Sequence, residues 1–190
     1  MKKMLFPVCF ILLLVSVACG TTDKKETGNN SIKHEFDGAP QWVIGSAATS
    51  SQICGVGSAV NSGNASAMRV YAQNRGRTEI SKILGTKIQA VLTDYSSKTV
   101  SGDEFQKSVS SERYIGDVSR QITEHTLSGT EQKDQWISDY SGTLYILMCL
   151  DLEKFKDSVK NMSQISENIR NAVAGAAVFD EISKEADTWK

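Results

Sequence analysis

Residues 135–150 read QWISDYSGTLYILMCL, and their hydrophobic pattern calls for a sheet. Two β-prone segments, Gln135–Tyr140 and Thr143–Leu150, flank Ser141-Gly142. A short glycine-bearing turn between two such segments predicts an antiparallel hairpin. The second segment is apolar at successive positions rather than at alternate ones. A strand with one solvated face alternates, whereas one that is apolar on both faces needs cover on both. The pattern therefore sets Thr143–Leu150 in the middle of a sheet.

Upstream, Gln52–Ala59 reads as another strand and Trp42-Val43-Ile44 as a shorter one. A long helix follows, with Asn61 or Ser62 as its cap. Ala65, Met68, Ala72, Ile80, Ile83 and Leu84 recur at helical spacing on one face,. Gly76 lies on or beside that face, where a missing side chain lets a helix approach a sheet closely. Gly85 is the expected C-terminal stop. From Lys87 to Tyr95, Ile88, Ala90 and Leu92 alternate with Gln89, Val91 and Thr93, predicting a further strand,. A second helix is expected after Ser101-Gly102-Asp103, with Phe105, Val109, Ile115, Ile122 and Thr126 as its inner stripe and Gly116 weakening it.

Two terminal helices are expected over Asp151–Lys160 and Ser163–Thr188, the latter striped by Met162, Ile165, Ile169, Val173, Ala176, Phe179, Ile182, Ala186 and Trp189. The centre of that helix, residues 172–178, is small on every side, which suits packing on its own sheet or contact with another subunit. The expectation is an α+β fold: a small, mostly antiparallel sheet of four to five strands, a long helix on one face, and an additional C-terminal helix.

The N-terminus carries Lys2 and Lys3 and then an apolar run from Leu5 to Ala18, the pattern of a bacterial secretion signal,. The run falls short of the roughly 20 residues of a membrane span. Val17-Ala18-Cys19 resembles a lipobox, with Ser16 standing where an aliphatic residue is usual, and this makes Cys19 the predicted lipidated first residue of the mature chain. Gly20 replaces the aspartate that retains lipoproteins in the inner membrane, so the expected location is the outer membrane.

Four segments follow from this reading: 1–18 signal peptide, 19–39 lipidated cysteine and flexible tether, 40–160 folded domain, and 161–190 C-terminal helix. A tether of that length has an r.m.s. span of about 25 Å and a stretched limit near 70 Å. It contains His34, which is expected to be solvated.

The chain has 190 residues, with 21 Lys plus Arg against 22 Asp plus Glu and a formal net charge of −1. Nucleic acid, which rewards clustered positive charge, is not an expected partner. Two histidines and four cysteines leave little material for a metal or a His-based catalytic site, so no enzyme and no cofactor is expected. Cys9 leaves with the signal and Cys19 takes lipid, which leaves Cys54 and Cys149 in an oxidising compartment. A disulfide needs their Cα atoms about 4.4–6.8 Å apart on strands facing the same side; a bridge and two buried free thiols both fit the sequence.

Pro40-Gln41-Trp42, Ile53-Cys54-Gly55-Val56-Gly57-Ser58-Ala59, then Ala65, Ala72 and Gly76-Arg77-Thr78-Glu79-Ile80 resemble the LPP20 lipoprotein family. Its members show a P-x-W opening, a [IV]-x-G-x-G-x-A strand and an A-x-x-x-A-x-x-x-A-R-x-E-[LI] helix. Gly76 and Thr78 depart from that helix motif. The resemblance spans roughly residues 40–150 and implies a non-enzymatic surface or outer-membrane lipoprotein of small α+β fold, some of whose relatives are flagellar accessories. It carries no catalytic residues. Trp42 is expected to be a core lid, Gly55 and Gly57 sites of close helix-to-strand approach, and Arg77 and Glu79 polar groups on the helix surface.

Other chemistry is poorly supported by the residues. Gly55-Val56-Gly57 lacks the third glycine of a dinucleotide loop, Val60 standing in its place, and no Gly-Lys-Ser/Thr follows,. Glu124-His125 has no nucleophile motif beside it and reads as a helix-end surface pair. No Cys-x-x-Cys spacing suggests a metal. The expected function is that of an envelope lipoprotein acting by assembly or protein contact, as a homo-oligomer or with other envelope proteins and held to the membrane by its lipid. The alternative is a module binding a small ligand, glycan or peptidoglycan in an open pocket lined by Trp136, Tyr140 or Tyr145.

Overall fold

The structure is a computed structural model that describes residues 27–45, 51–98, 112–177 and 179. The expected signal peptide, Cys19, the first part of the expected tether, Phe105 and Val109, and the last turns of the expected C-terminal helix lie outside the described residues.

Strands β1 (Gln52–Ala59), β2 (Glu131–Ile137) and β3 (Leu144–Asp151) form one antiparallel sheet in the order β1-β3-β2. The strand that is apolar on both faces is central, as its pattern requires. β1 lies in unbroken register on β3, with Gln52 opposite Asp151 and Ala59 opposite Leu144. β2 is interrupted by an irregularity between Gln132 and Asp134. The hairpin turn is wider than Ser141-Gly142 alone: β2 ends at Ile137, and the Ser138 N–H donates to the Thr143 carbonyl at 2.9 Å across a loop. Gly142 takes φ +70° there, a left-handed conformation that glycine adopts without cost.

The sheet has three strands rather than four to five, because two expected strands are helical. Helix α1 spans Thr27–Glu35, and Trp42-Val43-Ile44 belongs to a single turn, α2 (Gln41–Ile44). Pro40 precedes that turn at φ −58° and its carbonyl accepts from the Val43 N–H at 2.9 Å; proline is preorganised for a helix start. Lys87–Tyr95 continues α3, which runs through Gly85 from Ala65 to Lys98. Its buried stripe is Met68, Ala72, Gly76, Ile80, Leu84, Ile88 and Leu92, every fourth residue. Ile88 and Leu92 satisfy both a two-residue and a four-residue repeat, and the helix decides between them by burying the stripe. Gly85 does not end the helix; the Ser119 hydroxyl donates to its carbonyl at 3.1 Å.

Helix α3 covers the sheet face formed by Ile53, Gly55, Gly57 and Ala59 of β1 and by Leu144, Ile146, Met148 and Leu150 of β3. Helix α4 (Glu112–Leu127) packs on α3 and buries Ile115, Ile122 and Thr126 of the predicted stripe. Helix α5 (Leu152–Lys160) starts at an Asp151 cap whose carboxylate accepts from the Glu153 and Lys154 N–H groups, both at 3.0 Å. Helix α6 begins only at Glu167, later than the expected Ser163, under a Ser166 cap, and it ends at Ala174. Met162, Ile165, Ile169, Val173 and Phe179 are buried in the common core, with Phe179 against Phe155 at 4.7 Å between ring centroids. The described part of the C-terminal stripe, as far as Phe179, packs on its own molecule; Ile182, Ala186 and Trp189 lie outside the described residues.

Candidate functional site

The second face of the sheet carries Cys54, Val56 and Ser58 on β1 and Tyr145, Leu147 and Cys149 on β3. Cys54 and Cys149 are direct partners in the register and are joined by a disulfide, with their Cα atoms 4.0 Å apart, slightly closer than the usual range because the two residues sit directly opposite on neighbouring strands,. Of the two states left open by the sequence, the structure contains the bridge. It lies in the middle of the sheet with both residues buried and closes a separation of 95 residues.

The N-terminal segment packs over Tyr145 and the hairpin turn on that side, so the chain expected to be a flexible tether is partly folded. Residue 35 forms the centre of a clasp. Ser141 Oγ and Tyr145 Oη donate to Glu35 Oε1 at 3.0 and 2.9 Å, and Ser138 Oγ donates to the Glu35 carbonyl at 2.9 Å. Around it, Phe36 meets Tyr145 at 6.0 Å, Trp136 meets Tyr145 at 5.4 Å, and His34 stacks on Tyr140 at 5.8 Å between ring centroids. His34 is exposed as expected, but it sits on a helix and has a ring partner. Burial, then the hydrogen bond to the Glu35 carboxylate and its negative charge, push the Tyr145 phenol up to about 12. No sequence signal linked residue 35 to the hairpin, because the contact joins segments more than a hundred residues apart.

The expected site residues fall into separate places. Trp42 is half-buried on the outer face rather than a lid on the core, and its indole N–H donates to Asp134 Oδ2 at 2.8 Å. Gly55 and Gly57 are sites of close approach: a Cβ on Gly57 would collide with the Ala72 carbonyl, and one on Gly55 would lie 2.9 Å from the Glu79 Cβ. Glu79 is exposed and pairs with Lys82 at 2.8 Å. Arg77 does more than decorate the helix surface. It is half-buried, and its Nε–H donates to Thr130 Oγ1 at 3.1 Å where β2 begins. Glu124 and His125 are both exposed.

A second polar cluster fixes β2 to α5. Glu131 accepts from Lys154 at 2.7 Å and Lys133 at 2.9 Å, and the two ammonium groups hold its carboxyl at about 2, well below the usual carboxylate range. The same contact raises the Lys154 ammonium.

Three of the surface concavities among the described residues are shallow. One of about 390 Å³ lies at the clasp beside His34, Asp37, Asp139 and Tyr140, and one of about 540 Å³ separates Ala90, Val91 and Tyr95 from Ala172, Ala176 and Ala177. A third, of about 250 Å³, is bordered by Val60, Met68, Tyr71 and Arg75. Of the residues expected to line an open pocket, Tyr145 is instead engaged by Glu35 and Phe36, and Trp136 packs on Tyr145. Among the described residues, no three His, Cys, Asp or Glu side chains gather to hold a metal ion, and no helix is long and apolar enough to cross a membrane. In comparisons with known proteins, no family model matches the chain and no curated protein matches it. The resemblance to LPP20 lipoproteins therefore rests on the motif residues quoted above.

Proposed function

We propose that this chain is a non-enzymatic bacterial envelope lipoprotein of LPP20 type, anchored to the outer membrane through Cys19 and acting by protein contact. An accessory role in assembling an envelope structure such as the flagellum belongs to this reading. The observation that carries it is the Cys54–Cys149 bridge in a chain that opens with Lys2-Lys3, an apolar run and a small-residue approach to Cys19. Structural disulfides persist in oxidising compartments and are rare in the bacterial cytosol, so the bridge and the export signal support each other. The motif residues are compatible with this: Gly55 and Gly57 meet α3 closely, Arg77 reaches the start of β2, and Glu79 stays on the helix surface.

Metabolic labelling with a palmitate analogue, followed by in-cell crosslinking and mass spectrometry, tests the proposal. Wild-type chain is expected to take label that Cys19→Ser abolishes, and to crosslink to itself or to envelope proteins. An unlabelled wild-type chain would refute the anchor, and a labelled chain that never crosslinks would refute action by contact.

A further inference from the structure

If Cys19 carries lipid, the position of helix α1 determines which end of the molecule meets the bilayer. Cys19 and Thr27 are eight residue steps apart, which span at most about 29 Å. The helix is fixed in turn to the hairpin turn through Glu35, Ser138, Ser141 and Tyr145. The reach of about 70 Å expected of a free 20-residue tether is thereby cut by more than half.

The hairpin-turn end of the sheet also gathers exposed apolar side chains. Ala59, Leu144 and Ile137 form its last row. Beside them Ile137, Tyr140 and Val60 are 53%, 60% and 74% exposed, and on α1 Ile32 is 60% exposed. An aromatic residue with a polar tip among aliphatic ones suits the boundary between headgroups and acyl chains. Lys33 and His34 stand here with Asp37 and Asp139, so the end has no excess of positive charge that would favour anionic lipid. Helix α3 starts at this end and runs antiparallel to β1, since Ala72 meets Gly57 and Gly76 meets Gly55. Its 34 residues carry Lys98 about 50 Å away.

We propose that the hairpin-turn end, with Val60, Ile137, Tyr140 and Ile32, rests on the phospholipid surface into which the Cys19 lipid inserts, and that α3 projects away from the membrane. This rests on the lipoprotein reading. It leaves the α3 C-terminal end and the α6 side of the molecule facing partners.

The test uses full-length lipidated protein in vesicles of phosphatidylethanolamine and phosphatidylcholine carrying a headgroup nitroxide quencher. A fluorophore is placed on Asp139→Cys or on Lys98→Cys, and the native Cys54–Cys149 bridge leaves the new thiol as the labelling site. Quenching at position 139 is expected to exceed that at 98 at least threefold and to be unaffected by 0.5 M salt. Releasing the clasp with Glu35→Ala and Tyr145→Phe together should reduce the difference. Equal quenching, or stronger quenching at 98, in protein that floats with the vesicles would overturn the orientation and leave the anchor intact. Protein that neither takes palmitate nor floats overturns the lipoprotein reading itself.

Discussion

At Gly57 the packing leaves no room for even one methyl group. The Cβ of an alanine there would occupy the position of the Ala72 carbonyl and crowd the Gly76 amide, and neither backbone group can swing aside as a long side chain would. Gly57→Ala is therefore expected to cost about 3 kcal/mol, at the upper end of overpacking penalties, read as a lowered urea midpoint. Gly116 in α4 is the control. A Cβ there meets nothing within 4 Å, and alanine is the better helix former, so Gly116→Ala should stabilise by about 0.5–1 kcal/mol. A glycine and its neighbours in sequence look alike in both cases; only the element packed across the chain distinguishes them. The close approach at Gly55 and Gly57 was implied by the family resemblance; the helix packed across the strand supplies its physical reason. The bridge was half legible. Cys54 and Cys149 are the pair that the expected processing would leave, but their register came only with the fold. Replacing both by alanine is expected to cost about 2–4 kcal/mol, measured against the oxidised wild type by denaturation.

Elements were legible where a single period dominated. β1, the two arms of the hairpin and the Asp151-capped helix α5 are all present in the sequence pattern. Lys87–Tyr95 was misread because residues four apart also belong to a two-residue repeat, and the rest of the apolar stripe outweighs the local alternation. Helix α1 has no strong apolar face of its own; it is held by the clasp, and that explains why TGNNSIKHE looked like linker. The clasp makes a pH-dependent contribution whose sign follows from Tyr145. Its pKa is raised from 10.0 to about 12, so the protonated phenol is favoured in the fold. The stabilisation is complete below pH 10 and is lost as pH rises through about 12. Urea midpoints between pH 8 and pH 12 should fall more steeply for wild type than for Tyr145→Phe, which itself should lose about 1 kcal/mol at pH 8 for one partly exposed hydrogen bond. The Glu131 cluster acts at the other extreme. With its carboxyl held at about 2 against an ordinary 4.5, it supports the fold above pH 4.5 and gives way as pH falls towards 2.

On the scale of the whole molecule, the folded body begins earlier than the composition shift at residue 40. Glu35 and Phe36 belong to the hairpin as much as to their own helix, and Trp42 ties the following turn to Asp134. A chain started at residue 40 should still fold, since the core of α3, β3, α5 and α6 is untouched, but it would uncover the Tyr145 and Tyr140 rings and leave Ser138 and Ser141 without Glu35. The expected loss is about 2–4 kcal/mol, from two aromatic contacts and three hydrogen bonds partly replaced by water,. Hydrogen exchange gives the sharper readout. The Ser138 and Gly142 amides donate across the turn at 2.9 and 2.8 Å and should exchange at least tenfold faster in the shortened chain than in one started at Thr27. The Cys149 and Leu150 amides, deep in the central strand, should keep most of their protection. If the turn amides exchange alike in both chains, α1 is not part of the folded body and the short reach from Cys19 is lost with it. If they differ as expected, the segment that composition assigns to a linker would set how the domain stands on the proposed anchor.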